Sequence, residues 1–492
     1  MNKMLIHFDG EEVSIAVCDE GRLTELYLPQ IGKGRLLGAI YKGRVINVLP
    51  GMQAAFVDIG LEKNSFLHAE DVYIPSRHYG DASQADREKL PNRKIESLLE
   101  QGQDVLVQVF KEPQGEKGAR VTMHLSLPGR YAVLLPTSAH VAVSRRIEKE
   151  PERERLRERM KELTGGKGVI IRTAASGMSV EELAEDFRSL NKLWKTLQGK
   201  AVKSKAPSLI YRERDMLRRV IRDTVAADVA CILVENAEAA EKIRRIMAEV
   251  APKLDCEIRI CAGEDLFSAY AVEEQLEKAL RRRLWLKSGG YIMFDQTEAL
   301  TVVDVNTGKF VGSSNFNDTA LTTNLEAAKE IARQIRLRNT GGIIIIDFIN
   351  MEQEQDRKTL LAELAKELKK DRTRVAMMGI TNLGLVELTR KKIGHELSYS
   401  LEEECPFCRG KGRVLRADIA ARRLLKELER EAQSSTAHTM QVMASAAVAA
   451  HLLGPDGEDL QALERRLGKR IRLIAEEGRC PEEIVVRGVF DV

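Results

Sequence analysis

The sequence predicts a mixed α/β protein built from several domains. Its 492 residues are enough for about three domains of ~150 residues each. The first 125 residues carry short alternating apolar runs separated by turn residues, which favours strands. The remaining chain alternates apolar strand-like runs with charged helical segments, which favours α/β domains.

Composition excludes several other classes of protein. With 43% apolar and 31% charged residues, the chain is neither disordered nor fibrous. Its longest nearly apolar run, residues 442–453, is shorter than the roughly 20 residues that a membrane span needs. Asp9 follows Lys3 too soon for a signal peptide. Seven cysteines do not make a disulfide scaffold, so we expect a cytoplasmic protein.

The N-terminal third is predicted to be β-structure. A strand meander is expected over residues 4–8, 13–17 and 23–28, followed by five short strands of a small Greek-key barrel at 40–48, 54–59, 65–68, 104–110 and 119–124. A polar loop with prolines, residues 75–94, interrupts the barrel. The net charge is only +3, but basic stretches at 31–57 and 200–222 could attract the phosphates of RNA or DNA, although most such charge clusters are solvated surfaces.

The rest of the chain is predicted to alternate helices and strands. Strands are expected at 168–173, 230–235, 291–294, 300–305 and 343–348. Helices are expected at 150–163, between the strand 168–173 and residue 222, from the strand 230–235 to residue 250, and at 272–284, 321–337, 351–370 and 417–432. The isoleucine run 343–346 predicts a central strand that is covered on both faces. A small mixed region closes the chain.

Two acidic residues end predicted strands of the α/β region. Asp304 follows Val303, Asp347 follows the isoleucine run, and Asn306 would project to the same side as Asp304. Two carboxylates and an amide suit Mg²⁺, which could activate water against a phosphodiester. The alternative is that each Asp caps the loop or helix that follows.

Cys405 and Cys408 form a C-x-x-C motif with Gly410 and Gly412 beside it. This is half of a tetrahedral Zn²⁺ site, and the acidic run 402–404 before it argues against a redox thiolate. The two missing ligands would come from Cys256 and Cys261 or from the same motif of a second chain. In the second case Zn²⁺ would link two chains into a dimer.

Two further groups of residues suggest contacts with RNA. Phe56 and Phe66 lie in the predicted barrel, with Lys111 at the end of its fourth strand, as in proteins that stack single-stranded bases. The alternative is that both rings are core. Arg172 and Thr173 end a predicted strand and could bind a terminal phosphate, although a plain surface arginine is the commoner case.

Several stretches together resemble the bacterial ribonuclease E/G family over essentially the whole chain. These stretches are 303–306, 323–328 with 331–338, 341–349, and 405–412, and the barrel segments 41–45 and 56–60 match as well. Because the sequence stops at residue 492, without the long extension of the E-type members, it is more similar to the G-type members. Asn350 stands where many members have Asp.

The resemblance implies an architecture. It consists of an RNase H-like scaffold (1–35 and 217–280), an S1 (OB-fold) RNA-binding domain (36–124), a 5′-sensor region (125–216), a DNase I-like catalytic domain (281–399), a Zn-link (400–413) and a small dimerisation domain (414–492). It also implies that Asp304 and Asp347 hold catalytic Mg²⁺ with support from Asn306. Phe56, Phe66 and Lys111 would contact RNA, Arg172 and Thr173 a 5′-monophosphate, and Cys405 and Cys408 a Zn²⁺ shared between protomers.

The function implied is that of a Mg²⁺-dependent endoribonuclease in rRNA processing and mRNA turnover. It would cleave single-stranded RNA, favour 5′-monophosphorylated substrates and leave 5′-phosphate and 3′-hydroxyl ends. We expect a homodimer, and a tetramer of two dimers stays open. The alternatives are a non-catalytic RNA-binding protein of the same fold, which would not need the intact acidic set, and a DNA nuclease, which would not need a barrel for single strands.

Overall fold

A computed structural model describes residues 2–10, 12–29, 36–73, 94–113, 117–213, 215–225, 229–250, 256–308, 316–394, 396–454 and 458–490. The predicted loop 75–94 lies, except for Lys94, outside these residues. The chain divides into two compact units, Met1–Ser400 and Leu401–Val492. Among the described residues, no helix is both long and apolar enough to cross a membrane.

The first unit contains most of the strands. They are β1 (Asn2–Asp9), β2 (Glu12–Asp19), β3 (Arg22–Tyr27), β4 (Ile40–Leu49), β5 (Ala54–Asp58), β6 (Ser65–His68), β7 (Asp104–Lys111), β8 (Arg120–Thr122), β9 (Leu127–Pro128), β10 (Ala132–Leu135), β11 (Val141–Val143), β12 (Gly168–Ile171), β13 (Ser208–Tyr211), β14 (Val229–Val234), β15 (Glu257–Ile260), β16 (Arg283–Trp285), β17 (Tyr291–Gln296), β18 (Leu300–Asn306), β19 (Gly342–Asp347), β20 (Val375–Ile380) and β21 (Val386–Arg390).

The helices of this unit lie mainly after the barrel. They are α1 (Glu150–Thr164), α2 (Val180–Lys203), α3 (Met216–Val220), α4 (Ala237–Val250), α5 (Leu266–Ala269), α6 (Val272–Leu280), α7 (Phe316–Leu337), α8 (Glu354–Leu368) and α9 (Leu397–Leu401), and a π-helix follows α3 at Ile221–Val225.

The chain leaves its first sheet and later returns to it. This sheet has the order β15-β14-β1-β2-β3, so it combines the N-terminal meander with strands more than 200 residues later in sequence. Between β3 and β14 the chain builds the barrel. The barrel closes through the order β4-β5-β6-β8-β7 with a β4–β7 pairing, and β13 extends it beside β4. The predicted barrel is therefore confirmed.

A third sheet, in the order β11-β12-β10-β9, lies between the barrel and the second half of the first sheet in sequence. Helices α1 and α2 pack on it through an apolar cluster that includes Leu156, Val169 and Leu183. Helix α2 begins at a capping box, in which Ser179 and Glu182 bond each other's backbone N–H groups. This packing fixes the loop after β12, where Arg172 and Thr173 lie.

The fourth sheet has the order β16-β17-β18-β19-β21-β20. Helices α7 and α8 both pack on one face of it, through a core that includes Val303, Ile344, Ile331 and Leu360. The opposite face is open: Ile343 is 49% exposed, and Val302 and Ile345 are only half-buried. We call this surface the open face of the fourth sheet.

Two expectations about this region were wrong. The isoleucine run is central in its sheet, but among the described residues helices cover it on one face only, because α7 and α8 lie side by side on the same face. The helix expected at 272–284 ends at Leu280, and Arg283–Trp285 form the edge strand β16. The side chains of β16 therefore alternate between core and solvent, with Leu284 buried between two exposed neighbours.

The second unit, Leu401–Val492, forms its own small core. It contains α10 (Ala417–Ser434), β22 (Thr439–Ser445), α11 (Ala446–Leu453), α12 (Glu458–Leu467), β23 (Arg470–Glu476) and β24 (Val485–Val489). The sheet order is β23-β22-β24, and α10 packs on it through residues such as Leu424 and Leu428.

Candidate active site

Asp304 and Asp347 lie side by side on the open face of the fourth sheet. Strands β18 and β19 are parallel, and the register pairs Asp304 directly with Asp347. Their backbones are therefore separated by about one strand spacing, roughly 4.8 Å. The buried neighbours Val303, Val305 and Ile346 point to the opposite face, towards the helices. The alternation of each strand thus places both carboxylates where a substrate can reach them.

Asn306 lies on the same face and contacts Asp304. Its Nδ2 donates a hydrogen bond of 2.7 Å to Oδ2 of Asp304, which holds that carboxylate in one orientation. Asn306 itself pairs across the sheet with Tyr291 of β17. The structure therefore brings together all three residues that the sequence predicts for this site.

The charges of the pair are suited to a cation. Partial desolvation and, second, the negative charge of Asp304 raise the pKa of the Asp347 carboxyl above its usual range. Within the described ranges of the chain, no lysine or arginine forms an ion pair with either carboxylate. Two oxygen-rich anionic groups that repel each other make a donor set that fits a hard divalent cation such as Mg²⁺.

Helix α7 positions the loops around this site. Asn324 is fully buried; its side chain bonds both the carbonyl and the N–H of Ile349, two residues after Asp347. Glu326 accepts hydrogen bonds from the backbone N–H groups of Lys287 and Ser288 in the β16–β17 turn. Sequence reasoning assigned no role to either residue, although the stretch 323–328 that contains them was prominent in the resemblance.

Phe56 and Phe66 lie on the outer surface of the barrel. They form a cross-strand pair on β5 and β6 with ring centroids 6.2 Å apart, and both rings are half-buried while Ala55, Val57 and Leu67 fill the core. The question that the sequence left open, core or surface, is thereby answered. An outward aromatic pair is the kind of surface on which bases stack.

The same row of the barrel continues with basic side chains. Arg120 pairs with Phe66 across β8 and β6 and with Lys111 across β8 and β7. Lys111 is exposed, and the Arg120 guanidinium lies 5.0 Å from the Phe110 ring centroid. Arg120 and Phe110 were not predicted, because their position beside Phe66 depends on strand pairing. Arg120 also pairs with Asp71, and Lys42 and Arg44 of the basic stretch 31–57 both pair with Asp104.

Arg172 is bound to other protein groups in the structure. Its Nη1 donates to the Gly129 carbonyl at 2.6 Å and its Nη2 to Asp223 at 2.8 Å, in the π-helix after α3. Arg222 also donates to Asp223. Thr173 is exposed, and its hydroxyl lies 3.0 Å from that of Ser144. A phosphate at this place would therefore bind the remaining N–H groups of Arg172, and the sequence offered no local signal for Asp223.

Cys405 and Cys408 lie in a turn before α10. The backbone N–H groups of Cys408 and Phe407, and the Cys408 thiol, lower the pKa of the Cys405 thiol. The buried Cys480 lines the same cleft as Cys408, of about 210 Å³. Cys256 and Cys261 flank β15; at about 3.3 Å per residue their backbones are roughly 16 Å apart, too far for one tetrahedral ion.

The chain combines a barrel that has outward aromatic and basic side chains with a sheet that carries paired carboxylates on its open face. This combination is typical of metal-dependent nucleases. Comparison with known proteins agrees with this class. The profile described as the ribonuclease E/G family matches residues 126–393, and that described as the RNase E/G thioredoxin-like domain matches residues 404–487.

Individual relatives match almost the whole chain. Over 476 residues the chain is 41% identical to ribonuclease G of Salmonella typhimurium (strain SL1344) and 40% identical to ribonuclease G of Escherichia coli (strain K12), covering 96% of this chain and 97% of each relative. It is 36% identical over 472 residues to ribonuclease E of Escherichia coli (strain K12), of which 44% is covered. The chain belongs to the ribonuclease E/G family, which confirms the resemblance seen in the sequence.

Proposed function

We propose that this member of the ribonuclease E/G family, an endoribonuclease, cleaves single-stranded RNA with Mg²⁺ held by Asp304 and Asp347. The observation that carries the proposal is the acidic pair itself: two adjacent carboxylates in register, on an open face, with the pKa of Asp347 raised. Such a pair is unfavourable in isolation and is stabilised by a bound cation. Asn306 supports it by fixing the orientation of Asp304.

Each residue of this site has a separate role. The two carboxylates hold the cation, which when bound supplies Lewis acidity and a source of nucleophilic water at neutral pH. The hydrogen bond from Asn306 keeps one Asp304 oxygen turned towards the amide, so the other oxygen is free for the cation. The products would carry 5′-phosphate and 3′-hydroxyl ends. We propose rRNA processing and mRNA turnover as the cellular tasks.

RNA binding is proposed for two surfaces of the first unit. The outer row of the barrel, Phe56, Phe66 and Lys111, would stack bases and attract the backbone of a single strand. Arg172 and Thr173 would bind a 5′-monophosphate, which carries roughly −1.5 to −2 charge and three acceptor oxygens. A 5′-hydroxyl end lacks that charge, so its cleavage should be slower.

The finer domain assignments stay proposals of the same kind. We propose that residues 1–35 and 217–280 form the RNase H-like scaffold, 36–124 the S1 domain, 125–216 the 5′-sensor region and 281–399 the DNase I-like catalytic domain. For the second unit we propose a Zn-link at 400–413 and a dimerisation domain at 414–492. Cys405 and Cys408 of two protomers would share one Zn²⁺, in a cytoplasmic homodimer that can pair into a tetramer.

One gel tests the central proposal. Wild type and Asp304→Asn are incubated with a single-stranded RNA that has a 5′-monophosphate, once with Mg²⁺ and once with EDTA. We expect cleavage only by wild type with Mg²⁺. A single-stranded DNA of the same sequence is the substrate control. Cleavage in EDTA, or by Asp304→Asn at a similar rate, would contradict the metal assignment, and equal cleavage of the DNA would favour a DNA nuclease.

A further inference from the structure

Trp285 is an exposed aromatic side chain close to the acidic pair. It lies on the edge strand β16 and is 59% exposed, which is unusual for so large an apolar side chain. Leu284 beside it points into the core, so Trp285 and Arg283 both project from the open face of the fourth sheet. Nothing in the site described above uses these side chains.

Strand register connects Trp285 to the candidate active site. Trp285 pairs with Tyr291, and Tyr291 pairs with Asn306, so the three side chains form one row on the open face. The next row contains Arg283, Met293, Asp304 and Asp347 in the same strand order. Because adjacent strands lie about 5 Å apart, the backbone of Tyr291 is about 5 Å and that of Trp285 about 10 Å from the backbone of Asn306.

Aromatic and cationic groups meet at this place. The Trp285 and Tyr291 ring centroids are 5.4 Å apart with the planes at 64°, and the Arg283 guanidinium lies 4.7 Å from the Tyr291 centroid. We call Arg283, Trp285 and Tyr291 the Trp285 platform. The edge-to-face arrangement leaves the exposed indole free to stack with another planar group, and Arg283 adds positive charge for a phosphate.

The Trp285 platform is held in place before any substrate binds. The turn between β16 and β17 is closed by a 2.8 Å hydrogen bond from the N–H of Leu286 to the carbonyl of Gly290. Glu326 accepts from two N–H groups of that turn, as described above. A Cβ on Gly290 would lie 2.8 Å from the Asn306 carbonyl oxygen, so only glycine allows the turn to approach Asn306 so closely.

From these contacts we infer that the Trp285 platform stacks a base of the single-stranded RNA next to the scissile phosphate, as a second stacking site besides the barrel. The inference rests on the proposed function. A duplex would not serve as well, because its bases are already stacked and their faces are covered. By strand register the backbone of Trp285 is roughly 12 Å from that of Asp304 and roughly 16 Å from that of Asp347. A base held at this distance sets which phosphate reaches the carboxylates, so the Trp285 platform contributes to the choice of cleavage position.

Fluorescence gives a direct test without catalysis. The chain has two tryptophans, and the other, Trp194, is half-buried in the core between α2 and the third sheet. In a Trp194→Phe variant, Trp285 is therefore the only indole. Titration with a short single-stranded RNA in EDTA should quench its emission with the same midpoint as the anisotropy of a labelled RNA. Binding seen by anisotropy with unchanged Trp285 emission would overturn the inference.

Affinity and cleavage position give a second test. Trp285→Ala should weaken binding of the same RNA about 5- to 100-fold and spread cleavage over neighbouring positions, whereas Trp285→Phe should retain most of the affinity. Tyr399→Ala is the matched control, since Tyr399 is an aromatic residue of α9 with 62% exposure, and it should behave as wild type.

The outcomes separate this inference from the proposed function. If wild type neither binds nor cleaves RNA, the proposed function fails and the Trp285 platform fails with it. If wild type cleaves with Mg²⁺ while Trp285→Ala keeps its affinity and its cleavage positions, only the Trp285 platform is wrong. A Trp285→Ala loss that is matched by Tyr399→Ala would also overturn it, because the loss would then not depend on the platform.

Discussion

At the scale of single residues, Asp347 is the group whose chemistry the surroundings change most clearly at the candidate active site. Its carboxyl has a raised pKa because it is partly desolvated and lies beside Asp304. A cation bound between the two carboxylates would stabilise the charged form of both. As pH falls through the raised pKa, Asp347 takes up a proton and affinity for the cation is lost, at a higher pH than for an isolated aspartate.

We therefore expect Asp347→Asn to reduce cleavage more than about 100-fold while RNA binding stays within about twofold of wild type. The amide keeps the shape of the side chain but removes one of two charges that hold the cation, and it leaves the barrel surface untouched. Cleavage assays and anisotropy titrations measure the two properties. Cleavage within about tenfold of wild type would show that Asp347 is not a ligand.

Arg172 is the second residue whose role can be tested singly. A phosphate bound by charge-assisted hydrogen bonds gains ~1.5–3 kcal/mol, so 5′-monophosphorylated RNA should be cleaved about ten- to a hundredfold faster than 5′-hydroxyl RNA. Arg172→Ala should abolish this preference without slowing cleavage of the 5′-hydroxyl RNA. Folding should survive, because Asp223 keeps its bonds to Arg222.

Arg188→Ala is the control for this experiment, since Arg188 is an exposed arginine on α2 whose Nε donates to the Ala184 carbonyl of its own helix. It should keep the full preference. Two results would contradict the role of Arg172: wild type that cleaves both RNAs at equal rates, or an Arg172→Ala variant that slows equally on both.

At the scale of helices and loops, Glu152 holds the loop that carries Arg172 and Thr173. Its carboxylate, on the first turn of α1, accepts two hydrogen bonds from Arg155 and one of 2.8 Å from the N–H of Gly177. The bonds from Arg155 and then Gly177 lower the pKa of Glu152 to about 2. The side chain is 19% exposed, so solvent screens these bonds only in part.

The lowered pKa gives a stability prediction with a definite sign. Because the folded pKa is below the unfolded value, the contribution of Glu152 is present above about pH 4.5 and is lost as pH falls towards 2. Glu152→Gln should lower the free energy of unfolding at pH 7 by on the order of 2 kcal/mol, and the gap to wild type should shrink by pH 3.

Urea unfolding at several pH values measures this gap. Glu158→Gln is the matched control, because Glu158 is an exposed glutamate of the same helix, and it should change stability by less than about 0.5 kcal/mol at every pH. A gap for Glu152→Gln that stays constant from pH 7 to pH 3 would mean that its carboxylate charge is not what holds the loop.

The elements also show what sequence can and cannot predict here. Apolar alternation located the strands of the barrel, because each has one buried face. Short apolar runs between turn residues located the meander, whose strands β1 and β2 are buried on both faces at their centres. Apolar alternation could not give the open face of the fourth sheet, since whether α7 and α8 lie on one face or two depends on packing between distant segments. The expected helix 272–284 extends past the true end of α6 at Leu280, because no glycine or proline follows that residue directly. Strand β16, with Trp285, was therefore not predicted.

The sequence predicts those residues of the candidate site that are close to one another in sequence or that end a strand. Asp304, Asn306 and Asp347 satisfy this condition, and the register brings them together. Asp223, which binds Arg172, and Tyr291, which pairs with Asn306, become neighbours only through the fold. A sequence pattern carries no information about contacts of this kind.

At the scale of the whole molecule, one helix connects the first sheet to the fourth. Helix α7 packs on the fourth sheet, and its Arg333 and Arg336 bond the Leu23 carbonyl and the Glu25 carboxylate of β3. The half-buried Glu25 also pairs with Arg372, and Arg372 and Arg336 lower the pKa of its carboxyl although partial burial opposes this. The acidic pair is therefore built on a sheet that is tied to the N-terminal meander rather than on an independent module.

The assembly of the chain is predicted from the cysteines of the second unit. A tetrahedral Zn²⁺ needs four ligands, and one C-x-x-C turn provides two, so two protomers would supply Cys405 and Cys408 each. The lowered pKa of Cys405 favours the thiolate that a metal binds. A redox role is less well supported, because in such proteins the motif follows a strand and opens a helix, whereas α10 begins nine residues after Cys408.

We expect purified protein to contain one Zn²⁺ per two chains and to be at least a dimer, and Cys405→Ser to lose both the metal and the dimer. Elemental analysis and light scattering measure the two properties.

Cys480→Ser is the control: Cys480 lines the same cleft as Cys408 but is not part of the motif, so its loss should leave metal and dimer intact. One Zn²⁺ per chain that Cys480→Ser removes would instead place the site within a single protomer. Zn²⁺ can stabilise the dimer only when all four thiolates are present to bind it. A dimer that persists without metal in Cys405→Ser would therefore show that other surfaces hold the protomers together.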